Sequence, residues 1–117
     1  MLFKRKACYL LIGFFYLITL SVSAQDQRIA DSLLIIYKSD NLKGVEKLEL
    51  LSDLSFNEIK DYKLGLVYAE ELISLSLQND NKYYLSQGYF QKGSTNRLLG
   101  NLDAALEAFI KSSEVAK

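Results

Sequence analysis

The chain has no histidine, no proline and no tryptophan, and it holds one cysteine and one methionine among 117 residues. Without imidazole there is no histidine general base, no Ser-His relay and no histidine-ligated metal centre. With no proline and only six glycines, the chain carries few helix breakers. Its richness in Leu, Lys, Glu, Ser and Ala therefore points to an all-α fold. No charge of one sign dominates, because Lys plus Arg and Asp plus Glu each number 14; composition offers no polybasic face, and nucleic acid is not expected as a partner. A glycine-rich phosphate loop is absent too, since Gly88, Gly93 and Gly100 stand five and seven residues apart within helical pattern and follow no strand. What remains is ordinary for one small folded domain, with 50% apolar and 24% charged residues.

The first segment has a different character. Lys4, Arg5 and Lys6 precede an apolar run over residues 7–20, and Val22, Ser23 and Ala24 then supply small residues suited to signal peptidase. This three-part plan predicts a secretory signal over residues 1–24, cleaved after Ala24, because the apolar run is short for a membrane span. The alternative is an uncleaved anchor, the one case in which a membrane enters as a partner. Cys8 lies before most of the apolar run, where a lipoprotein cysteine would follow it. Cleavage would remove the only thiol and three positive charges, leaving eleven Lys or Arg against fourteen Asp or Glu. Such a chain is expected to be exported, to the periplasm, and to be held together by packing without disulfides.

The expected mature domain covers residues 25–117. Ile29, Leu33, Ile36 and Tyr37 recur at helical spacing and predict a lead helix over 26–39. Val45, Leu48, Leu51, Leu54 and Phe56 mark a second helix over 45–59, and Leu66, Ala69, Leu72 and Ile73 mark a third over 62–78. Asn79, Asp80 and Asn81 lack the spacing and final glutamate of a calcium loop, so they are expected to stop one helix and start the next.

The stretch from 82 to 117 is the most patterned. Tyr89, Gly93, Gly100, Asn101, Ala105 and Phe109 place Tyr89 and Gly93 on one helical face before a turn, and Ala105 and Phe109 on one face after it. Gly93 leaves room for a close helix, and Gly100 with Asn101 suits a helix stop in the left-handed region. In this arrangement Phe109 should pack toward Gly93. The spacing Gly93-x6-Gly100-Asn101-Leu102-x2-Ala105-x3-Phe109 resembles the tetratricopeptide repeat, a helical hairpin of about 34 residues. Residues 45–78 align with it at an offset of forty as a degenerate copy, Gly65 standing where Ala105 stands, with either Asp53 or Ser55 at the small-residue position of its first helix. The resemblance implies a lead helix followed by two antiparallel hairpins, 45–78 and 82–117, stacked as a short right-handed superhelix.

Taken with the export signal, this plan looks like the N-terminal extracytoplasmic region of repeat-containing bacterial sensor kinases and transcriptional regulators. The family resemblance implies a non-enzymatic scaffold whose first helices line a groove for a protein or peptide; a truncated sensory module is the alternative. Carried over by position, the groove is formed by Gln87, Phe90, Ser94 and Arg97, and by Lys47, Leu50, Leu54 and Asn57. No catalytic residue, cofactor or metal is expected. Glu70 and Glu71 are the one adjacent acid pair of the mature chain, and they point about 100° apart on a helix, which suits a solvated face better than convergence on one atom. On the last helix Leu106, Ile110 and their neighbours face where a further hairpin would stack. The exposed apolar surface this leaves favours a partner there, a second copy in a homodimer being one.

Overall fold

The computed structural model describes residues 24–117, and these form five α-helices and no strand. Helix α1 spans Gln27–Ser39, α2 Val45–Asn57, α3 Tyr62–Gln78, α4 Lys82–Leu98 and α5 Leu102–Ala116. A lead helix is thus followed by two antiparallel hairpins, α2 with α3 and α4 with α5, in a repeat-like stack. The signal segment expected over 1–24, and Cys8 with it, lie outside the described residues apart from Ala24. No helix among the described residues is long and apolar enough to cross a membrane.

Short polar residues set the helix starts. Asp26, Asp61 and Asn81 each turn a side-chain oxygen onto a backbone N–H of the first turn, from Arg28 (2.9 Å), Leu64 (3.1 Å) and Tyr84 (3.0 Å). Each bond satisfies a donor that the helix itself leaves free. Two of the stops are the same device, repeated twenty residues apart. Asp80 and Gly100 take φ of 51° and 84°, and the following N–H reaches back to close the helix, Asn81 to the Ser76 carbonyl (2.9 Å) and Asn101 to the Asn96 carbonyl (2.8 Å). The run 79–81 is therefore a stop followed by a start, as its composition predicts. Helix α2 ends at Asn57, two residues short of the expected 59, because Glu58 leaves the helical region with ψ of 97°. Its carboxylate then accepts from the Asp61 N–H (3.1 Å) and from Gln27 Nε2 (2.7 Å).

Helix α2 is the centre of the packing and touches α1, α3 and α4. Leu48, Leu51 and Leu54 from α2 join Tyr68 and Leu72 from α3, each at most 2% exposed. Burying a side chain of this size stabilises by about 1.5–3 kcal/mol. The lead helix closes one side with Ala30, Leu33 and Tyr37. It is also pinned by Gln27, whose Oε1 accepts from the backbone N–H groups of Ile59 (2.8 Å) and Lys60 (2.9 Å).

The second hairpin packs closely through glycine. A Cβ on Gly93 would lie 2.7 Å from Phe109 Cδ1 and Cε1, so the ring occupies the space that glycine leaves, as the spacing predicts. Gly88 has the same function between hairpins, since a Cβ there would meet Ile73 Cγ1 at 2.8 Å and the Ile73 N at 3.3 Å. Ser86 and Ser112 tie α4 to α5 by exchanging bonds, each hydroxyl donating to the other's carbonyl at 3.0 and 2.8 Å. Among the described residues one buried side-chain group has no such partner: Ser76 is fully buried and its Oγ has no protein hydrogen-bond partner. Removing that hydroxyl relieves a desolvation penalty, so Ser76→Ala should raise the unfolding free energy by about 1 kcal/mol in urea titrations.

Candidate functional site

The α4 candidates lie on one stripe of that helix. Phe90 is 49% exposed, Arg97 is exposed, and Gln87 and Ser94 are half-buried. Intervals of three, four and three residues keep the four side chains on one face. Phe90 is held from behind, its ring 5.6 Å from that of Phe109 at 57°. The stripe thus offers an aromatic surface on a fixed support, with a hydroxyl, an amide and a guanidinium along it.

The α2 candidates do not join that stripe. Leu54 is fully buried and Leu50 is 5% exposed, both in the core. Asn57 is also 5% exposed, and it is occupied structurally: Oδ1 accepts from the Asp26 N–H and Nδ2 donates to the Asp53 carbonyl, each at 2.9 Å. Lys47 turns toward α1, with Nζ 3.1 Å from Asp40 Oδ1 and 4.7 Å from the centre of the Tyr37 ring. The physical reason is the rotation of α2. Ser55 is buried and Asp53 exposed, so the small residue turned inward is Ser55, and the assignment built on Asp53 rotates the helix too far.

With α2 so rotated, its accessible face carries Glu46, Glu49 and Asp53, with Ser52 and Phe56 half-buried beside them. Tyr84 of α4 lies within electrostatic reach of this face. Burial first, then the charge of Glu49 and, more weakly, those of Tyr83 and Asp53, push its hydroxyl above the ordinary tyrosine range. Asp53 is likewise raised, by burial and then by Glu49. Between α1 and α2, Leu33, Ile36, Leu42 and Leu50 line an open groove of about 300 Å³ whose other walls are Glu46, Glu49 and Asp53. These acids were legible as an i, i+3, i+7 set at 46, 49 and 53, a signal obscured by the leucines interleaved with them.

Glu70 and Glu71 diverge, and each meets a neighbouring helix. Glu70 pairs with Lys92 of α4 at 3.0 Å, whereas Glu71 accepts from the Tyr37 hydroxyl of α1 at 2.7 Å. That bond to Glu71, followed by burial, lifts the Tyr37 pKa from an ordinary 10 to about 12. The neutral phenol is therefore favoured in the folded chain, and its contribution is complete below the unfolded pKa and lost as pH rises through the folded one. Urea titrations should show the stability gap between the native chain and Tyr37→Phe constant up to about pH 10 and closing by about pH 12. Among the described residues no group of three or more acidic or cysteine side chains is placed to hold a metal ion.

No family model, curated protein or solved structure matches this chain.

Proposed function

We propose that the protein is an exported, non-enzymatic scaffold of the tetratricopeptide type that binds a protein or peptide segment across the accessible faces of α2 and α4. The observation that carries this reading is the α4 stripe, where Phe90 stays half-exposed although its ring is packed against Phe109. An aromatic residue presented on a rigid support loses little entropy when a partner covers it, which is the usual physical basis of a binding anchor. The acidic face of α2 beside it favours a segment with Lys or Arg. Adjacent helices support a single continuous surface, since α2 touches α4 directly. Export rests on the N-terminal pattern of Lys4, Arg5 and Lys6, an apolar run and the small residues before Gln25.

A displayed library of short peptides, selected on the purified protein, tests the surface. Sequences enriched on the native chain should carry an apolar anchor and basic residues. Their binding should weaken at least about tenfold with Phe90→Ala/Arg97→Ala, as truncation of anchor residues does, and stay unchanged with Ile35→Ala on the outer side of α1. Equal binding by the double variant would reject the α4 stripe as the site.

A further inference from the structure

The two hairpins differ in one respect that bears on assembly. On α3, the face carrying Leu66, Glu70 and Ile73 is met by α4, through the Lys92 to Glu70 pair at 3.0 Å and the close approach of Gly88 to Ile73. Forty residues on, the equivalent face of α5 has Leu106 and Ile110, and none of the described helices lies over it. Leu102, Leu106 and Ile110 form a stripe that is 66%, 61% and 49% exposed. The opposite end of the stack is finished differently: the outer side of α1 presents Arg28, Asp31, Ser32 and Ser39 around an exposed Ile35, while Ile29 and Ile36, also exposed, stand about a quarter to a third of a turn round the helix, Ile36 in the groove beside α2. A head-to-tail contact from α5 to α1 would set leucines against these charged and hydroxyl groups as well as against Ile35. A contact from α5 to α5 would not.

We infer that α5 is a self-complementary interface through which two copies pair, their α5 helices antiparallel about a two-fold axis near Leu106. The charges fit this operator. With Leu106 opposite Leu106 of the second copy, Leu102 falls opposite Ile110. A two-fold axis perpendicular to the helices brings like flanks together, so Lys111 on the flank of one copy comes within a turn of Asp103 on the other. Asp103, Glu107 and Lys111 line one open groove with Leu106 and Ile110. Glu107, near the axis, is already compensated by Lys111 of its own helix at 3.2 Å. Each lysine thereby bridges an acid from either copy. A single helix pair belongs with small interfaces, below about 1,200 Å², so the association is weak and rises with concentration. It is independent of which segment the α2 and α4 surface binds.

Cross-linking in cells that express the full chain tests the geometry. In a background with Cys8→Ser, Leu106→Cys should be joined to itself by a short bismaleimide at least about tenfold more than Val67→Cys, an exposed α3 position far from the axis. Adding Asp103→Lys should cut that yield about fivefold by setting lysine against lysine, and Asp103→Lys/Lys111→Asp should restore it. Restoration by the exchange identifies antiparallel pairing, because a merely adhesive apolar face would respond to neither charge change. The inference is overturned by equal yields at positions 106 and 67, by cross-links from Leu106→Cys to Ile35→Cys or to a different protein, or by an exchange that fails to restore the yield.

Discussion

Tyr68→Ala is expected to lower the unfolding free energy by about 3–5 kcal/mol, the range found when a large ring is removed from a packed core. Tyr68 is 2% exposed and lies in the cluster of Leu48, Leu51, Leu54 and Leu72. It also meets the Tyr37 ring edge-on, with centroids 5.4 Å apart at 74°. The truncation therefore opens a cavity where α1, α2 and α3 converge and removes the aromatic contact that seats the lead helix. A domain of this size has a net stability of about 5–15 kcal/mol, so the loss is a large share of the whole. Urea denaturation followed by circular dichroism measures it. Tyr68→Phe separates ring from hydroxyl and should retain most of the stability. A loss below about 1.5 kcal/mol for Tyr68→Ala would mean that the surrounding leucines close over the cavity.

The same cluster explains which parts of the molecule were legible in the amino-acid order. Helix stops and starts were, because Asp80, Asn81 and Gly100 act through local backbone chemistry that depends on a few neighbouring residues. The Gly93 to Phe109 contact was legible for a similar reason, since sixteen residues of hairpin with a three-residue turn leave little freedom of register. Helix α2 was not. It is enclosed by α1, α3 and α4, and Leu48, Leu50, Leu51 and Leu54 give it an apolar arc so wide that periodicity does not select its centre. Asp53 and Ser55 were then equally acceptable at the small-residue position, and the ungapped offset of forty, which sets Asp53 there, carried Leu50, Leu54 and Asn57 to a groove although they are buried. Gln27 was missed for the opposite reason. Its bonds to Ile59, Lys60 and Glu58 span 31 to 33 residues, and no local pattern distinguishes a glutamine that will close such a distance from one left in solvent.

The exposed stripe on α5 and the exposed Phe90 ring on α4 both follow from how the hairpins stack. The α3 face of the first hairpin is buried against α4, whereas the corresponding face of α5 meets none of the described helices and α4 keeps a lateral face exposed. Phe109 separates the two surfaces: it fills the space beside Gly93 and supports the Phe90 ring. The binding surface proposed for α4 thus depends on how well the hairpin beneath it is packed.

Gly93 is where that dependence can be measured. In an open helix, replacing glycine by a larger residue gains stability, by about 0.8–1 kcal/mol for alanine. Here a Cβ would stand 2.7 Å from Phe109 Cδ1 and 2.9 Å from its Cγ, well inside carbon–carbon contact, so the ring must move. Its movement is opposed on one side by the Phe90 ring. Gly93→Val, with two further methyl groups in the same space, should cost about 3 kcal/mol, at the upper end of overpacking. Phe109→Ala alone should cost about 2–3 kcal/mol, less than a fully buried ring because Phe109 remains partly exposed. Combined, the two changes relieve one another: the valine occupies volume the ring has vacated, and the double variant should be more stable than the sum predicts by about 1–3 kcal/mol. Urea denaturation of all four proteins gives this coupling directly. Strict additivity would mean that glycine and ring are not in contact and that the hairpin closes elsewhere.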